Sequence, residues 1–193
     1  MILPNTVSAI TNSVLANGEW FRFFVTKSGA YLINKVFLQQ LGINTNSIDP
    51  RKIKIYGNGG RMVPLKNSTF YPDDLAENAI QVTGESDGVF NDNDFIVFYA
   101  EGVDNYNEES DTNNNLYTDK SYYYINVQGA EGKRIQTMLQ PSTAGTPITV
   151  FDDFRYHELD LINIVRLGRR WFGEDFTINN EQDFTFNIPN IVT

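Results

Sequence analysis

The chain has 193 residues, 41% of them hydrophobic, enough to bury a sizeable core and to argue against intrinsic disorder. Its 24 acidic and 15 basic side chains give a net charge of −9, and the basic ones form no stripe, which speaks against nucleic acid or anionic lipid as a partner. Cysteine is absent, so these residues hold no disulfide, thiolate metal site or thiol nucleophile, and no run of about 20 apolar residues is available for direct membrane insertion.

The opening "MILPNTVSAITNSVLANGEW" lacks the cationic and compact apolar regions of a signal peptide. The expectation is a cytoplasmic protein or one whose leader has been removed. With 22 Asn, 14 Phe and 10 Tyr, composition leans toward a secreted or envelope β-protein of polar loops and aromatic strands.

In "EWFRFFVTKSGAYLI", strand alternation puts Trp20, Arg22, Phe24 and Thr26 on one face and Phe21, Phe23 and Val25 on the other. Lys27, Ser28 and Gly29 then suggest a hairpin to a second strand at residues 30–33. "NKVFLQQLG" predicts a two-turn helix capped by Asn34 and ended by Gly42, with Val36, Phe37, Leu38 and Leu41 on its apolar side. After Pro50, Ile53 and Ile55 alternate with Lys52, Lys54 and Tyr56 in a strand. Further strands are expected at "NAIQVTG", "DFIVFYAEG", "SYYYINVQG" and "RIQTML", and residues 101–120 as a long exposed loop. Residues 151–176 mix both periods and predict a strand followed by a short helix at residues 161–167. Short punctuated strands of this kind predict a mostly β fold, an antiparallel β-sandwich-like domain with one or two short helices.

Four places hold residues capable of chemistry. Gly57, Gly59 and Gly60 in "IYGNGGR" lack the Lys-Ser/Thr of a phosphate-binding loop, so they read as a strand-ending turn that needs positive φ. His157 is the single histidine and lies among Asp152, Asp153, Glu158 and Asp160; a metal-ligand role and a hydrogen-bonded structural role both fit. Asp87, Asn91, Asp92 and Asp94 gather hard oxygen donors suited to calcium, but their order is wrong for an EF-hand, and the expectation is a hairpin loop with Asx turns and no metal. Trp20, Trp171 and the triplet Tyr122, Tyr123 and Tyr124 have rings suited to stacking on sugars, or to filling a β core.

Read in order, "VLANGEWFRFFVTKSGAYLI", "FLQQLGINTNSIDPRKIKIYGNGGRMVP", "DDLAENAIQVTGESDGVFNDNDFIVFYAEG", "NLYTDKSYYYINV" and "RRWFGEDF" resemble the N-terminal region of the PorU family, type IX secretion sortases of Bacteroidetes related to the gingipain cysteine peptidases. The resemblance covers the chain from about Val14 onward. It implies β-rich domains ahead of a caspase-like domain whose Cys and His do the chemistry, and without cysteine no nucleophile carries over. It also implies that "IYGNGG" binds no nucleotide.

The resulting expectation is a non-catalytic structural and docking domain of a surface sortase, with no cofactor. Its catalytic domain, absent here, would cleave the C-terminal signal of cargo and attach the cargo to lipopolysaccharide. Implied partners are the remainder of the parent sortase and the outer-membrane barrel protein PorV, at the surface of a Gram-negative bacterium. Residues 1–175 are expected to form the β domain and 176–193 the approach to a following one. Trp171, Phe172, Phe176, Phe184 and Phe186, with Ile188, place six large apolar residues in 18 positions and are the docking candidates. A stand-alone surface glycan-binding β-sandwich is the alternative, and a carboxylate-dependent hydrolase a third reading.

Overall fold

Nine strands form among the residues described by the computed structural model, which are 12–139, 145, 148–178 and 181–189. The chain divides into two units, Met1–Ile135 and Gln136–Thr193, and all nine strands belong to the first. They are β1 (Phe21–Val25), β2 (Gly29–Asn34), β3 (Lys54–Tyr56), β4 (Glu77–Asn78), β5 (Gln81–Thr83), β6 (Phe95–Ala100), β7 (Asp104–Asn107), β8 (Thr112–Asn114) and β9 (Ser121–Asn126). One α-helix, α1 (Lys35–Gln40), and short 3-10 turns at Val14–Ala16, Pro50–Lys52 and Glu85–Asp87 complete the described elements.

Two antiparallel sheets, ordered β1-β9-β3-β4 and β2-β6-β5, make the β-sandwich-like architecture expected from the strand pattern. One buried cluster joins them: Phe23, Val25, Ile55, Tyr123 and Ile125 from the first sheet, and Ile33, Val82, Ile96, Phe98 and Ala100 from the second. The period-2 pattern sets this directly, because residues alternating with the apolar ones, Arg22 and Phe24 on β1 or Tyr99 on β6, face solvent. Leu38 of α1 adds to the cluster, as do Ile43, Ile53, Ile80 and Phe90 from connecting segments.

The α1 boundaries follow the predicted signals. Asn34 Oδ1 accepts the Phe37 amide at 2.9 Å, and Gly42 takes φ +94° just past the helix. Leu38 is fully buried while Val36 faces solvent.

The expected hairpin between the first two strands does not form. β1 pairs with β9, matching Phe23 to Tyr123, and β2 pairs with β6, matching Tyr31 to Phe98. Residues 26–28 therefore cross from one sheet to the other, and Ser28 fixes the crossing. Its amide and hydroxyl donate to Asp104 Oδ1 at 2.9 and 3.1 Å, and its Oγ accepts the Gly102 amide at 2.9 Å. Each strand carries one apolar face, and facing sheets bury both faces where a lone hairpin cannot.

Other segments depart from expectation for local reasons. The run at residues 78–84 splits into β4 and β5, because Ile80 between them exchanges backbone hydrogen bonds with Lys133 and Ile135 at 3.2 and 3.0 Å. Residues 134–139 make only a parallel bridge from Arg134 to Ile80 in place of a strand. The Arg134 side chain instead donates to the carbonyls of Pro50 and Arg51 at 3.1 and 2.7 Å and pairs with Glu85 at 2.8 Å. The expected loop at residues 101–120 contains the irregular β7–β8 pair, in which Asp111 takes φ +52°. Among the described residues of the second unit, neither the strand nor the helix at residues 161–167 forms. Asn163 Oδ1 accepts the Leu167 amide at 3.1 Å and Arg166 sits at φ +52°, a turn that competes with helical bonding. An isolated bridge joins Ile162 to Phe172.

Candidate functional site

The three glycines have two separate causes. Gly59 has φ +82°, as a turn glycine requires, whereas Gly57 and Gly60 are needed for close approach. A Cβ on Gly57 would lie 2.4 Å from the Tyr123 ring, and one on Gly60 2.7 Å from the Gly102 carbonyl oxygen. Arg61 beside them is bonded to Glu101 at 2.8 Å.

The acidic loop spends its oxygens on its own chain. Asp87 accepts the Val89 amide at 3.0 Å and the Asn91 side-chain amide at 2.9 Å, and Asp94 accepts the Asn91 backbone amide at 2.6 Å. Asp92 points to Lys35 at 2.8 Å, and that ammonium holds its carboxyl below the usual carboxylate range. The Asp87–Val89 contact is an Asx turn, and the others tie the loop to itself and to Lys35. Millimolar calcium is expected to leave the melting midpoint nearly unchanged, since a ligand stabilises only in proportion to its occupancy of the folded state. A rise of several degrees that disappears in Asp92→Ala plus Asp94→Ala, measured by thermal denaturation, overturns the assignment.

His157 in the second unit is paired with Glu174, whose carboxyl it holds below its ordinary value, and its ring lies 4.4 Å from that of Phe184 at a 40° tilt. Asp153 is bonded to Arg155, and burial raises Asp160. Among the described residues no three His, Asp or Glu side chains gather closely enough to hold a metal ion.

The tyrosine triplet is divided by the pleat. Tyr123 is buried, stacked on Phe23 and edge-on to Phe98, and its hydroxyl both accepts the Glu101 amide at 2.8 Å and donates to the Glu101 carbonyl at 3.1 Å. Burial pushes its phenol above the ordinary tyrosine value. Tyr122 and Tyr124 point the other way, onto the outer face of β9. There Tyr122 meets Phe24 edge-on at 6.2 Å under the Arg22 guanidinium, and Trp20 meets Tyr56 at 5.2 Å.

This outer face runs into an open cleft of about 530 Å³. Its sides come from Gly59 to Val63, from Tyr71 to Leu75 and from Asn115 to Lys120, with Tyr122 and Tyr124 along one wall. Two asparagines brace it: Asn58 donates to the Asp74 carbonyl at 2.9 Å and accepts the Ala76 amide at 2.8 Å, while Asn115 donates to the Gly60 carbonyl at 2.8 Å. Sequence reading missed Tyr71 and Tyr117, because both reach the cleft from loops with no periodicity. The outward parity of Tyr122 and Tyr124 was the available signal.

The predicted docking residues all lie in the second unit and all are exposed, from Trp171 and Phe172 through Phe176 to Phe184, Phe186 and Ile188. Others not anticipated join them: Ile178 is 93% accessible and Phe151 81%, and Phe154, Ile164, Val165 and Leu167 are open as well.

No family model matches the chain. No curated protein matches it. A solved structure to which it is similar is that of dimeric latent PorU from Porphyromonas gingivalis, at 26% identity over 68% of this chain with a TM-score of 0.47. The chain spans 12% of the length of that PorU chain.

Proposed function

We propose that this chain is a non-catalytic N-terminal docking domain of a cell-surface type IX secretion sortase. The β-sandwich serves as its rigid body and the second unit as its adhesive part. Cleavage of cargo signals and transfer to lipopolysaccharide belong to a peptidase domain elsewhere in such a protein. The observation that carries this reading is the exposure of so many large apolar side chains across residues 148–188. A lone soluble domain rarely leaves contiguous apolar patches uncovered, and a surface that meets another domain does so by design. The ordered series of motifs that resemble the PorU family supports a peptidase domain as the neighbour.

The test uses Trp171→Ala with Phe172→Ala in two settings. In the isolated chain both side chains are exposed, so the melting midpoint of the β-sandwich should change little, within about 0.5 kcal/mol of stability. In the full-length parent, the same pair is expected to lower thermal stability or the yield of complex with PorV several-fold. An unaffected parent and complex, or a parent reading frame with no Cys- and His-containing peptidase domain, overturns the proposal.

A further inference from the structure

We propose that the cleft beside β9 binds a neutral saccharide chain, with the rings of Tyr122, Tyr124 and Tyr71 as its stacking surfaces. This goes beyond the docking role and rests on different residues, in the first unit.

The argument begins with what the cleft presents. A sugar ring is amphipathic, with apolar C–H faces and a hydroxyl rim. A complementary site needs aromatic faces with polar groups at their edges. Tyr71, Tyr122 and Tyr124 supply both, and among the described residues their hydroxyls take no hydrogen bond from the protein. Tyr122 and Tyr124 are two residues apart on one strand face, about 7 Å, so they can serve successive positions along an extended ligand.

Rigidity is the second point. β9 lies between β1 and β3, so the tyrosine wall belongs to an interior strand, and the opposite walls are tied down through Asn58 and Asn115. A wall fixed before binding loses little entropy when the ligand arrives.

The surroundings then choose among ligand classes. Phosphate and other anions are poorly served, because Arg61 is engaged by Glu101, Arg22 lies 4.9 Å over the Tyr122 ring, Lys120 lies 4.8 Å over the Phe24 ring, and Asp73 and Asp74 line the cleft. An extended peptide seeks a run of unpaired backbone groups on a sheet edge, and β9 is paired with β1 along Ser121–Ile125 and with β3 along Tyr124–Asn126, which leaves only a short stretch of one edge without a strand partner. What the site leaves available is the rings of Tyr71 and Tyr124, the side of the Tyr122 ring away from Arg22, and the phenol hydroxyls, the chemistry of an uncharged saccharide.

The full chain is titrated calorimetrically at millimolar concentration with maltohexaose, cellohexaose and mannohexaose. Saturable binding of at least one is expected, weakened about tenfold or more by Tyr122→Ala and by Tyr124→Ala. Tyr99→Ala, on the outer face of the other sheet, should leave it unchanged. If either β9 variant fails to fold by circular dichroism, Tyr71→Ala in an exposed loop carries the test. Trp171→Ala should not alter the affinity, which separates this outcome from that of the docking reading. The proposal is overturned if none of the three probes binds, if binding survives the tyrosine substitutions, or if the tyrosines bind an extended peptide and no saccharide.

Discussion

Phe98→Ala should unfold the β-sandwich at a temperature lower by on the order of 10 °C or more. Phe98 is completely buried on β6 and is the ring through which the two sheets touch. It packs edge-on to Phe23 at 5.9 Å and to Tyr123 at 5.5 Å across the interface, and lies 6.2 Å from Tyr31 of the neighbouring strand. Removing it deletes the transfer free energy of a phenyl ring and leaves a cavity among rings that β9 and β1 hold in place, a loss of about 3–5 kcal/mol. For a unit of this size, each kcal/mol moves the midpoint by a few degrees. Tyr99→Ala, one residue along and facing solvent, should fall within about 0.5 kcal/mol of the parent. Calorimetry of the two variants tests the sandwich, and a Phe98→Ala midpoint indistinguishable from that of Tyr99→Ala contradicts it.

Gly102→Ala is expected to be similarly damaging by the opposite route. A Cβ there would stand 2.4 Å from the Lys27 carbonyl carbon and 2.6 Å from its Cα, so the obstacle is backbone that no rotamer change can clear. The contact lies where β1 crosses to β2, beside the Ser28 bonds to Asp104 and to the Gly102 amide. Overpacking alone costs about 1–3 kcal/mol, and parting the crossing also strands the buried Gly102 amide, which adds about 1–3 kcal/mol. Gly29→Ala, two residues beyond Lys27, meets nothing within 4 Å and should be nearly silent. Equal urea midpoints for Gly102→Ala and Gly29→Ala would falsify the close approach.

Much of the sandwich was legible because its strands obey one-sided burial. Phe23 and Val25 against Arg22 and Phe24, or Ile96 and Phe98 against Tyr99, state the inward face without reference to any partner. Asn34 and Gly42 marked the helix for equally local reasons. Pairing was not legible, since Lys27-Ser28-Gly29 has the composition of a hairpin turn and the groups that redirect it, Gly102 and Asp104, lie more than 70 positions away. Arg134 misled in the same way: its segment alternates like a strand, but its guanidinium is committed to carbonyls more than 80 positions earlier. The cleft was half legible, through Tyr122 and Tyr124, and its other walls were hidden in loops. In the second unit Asn163 and Arg166 ended the helix through side-chain competition and a left-handed φ, neither of which periodicity detects.

The place of β9 bears on how the protein is made. It is the last of the described strands in sequence yet sits inside the first sheet, between β1 and β3, with Phe21 facing Ile125 across about a hundred intervening residues. During synthesis β1 and β3 have no common neighbour until residues 121–126 have emerged, whereas β2, β5 and β6 can assemble before then. The nascent chain thus passes through a stage in which one sheet exists and β1, whose apolar side that sheet can cover, still lacks the strand that pairs with its edge. Such long-range closure is slow, and it leaves a strand edge open to other chains for as long as it lasts.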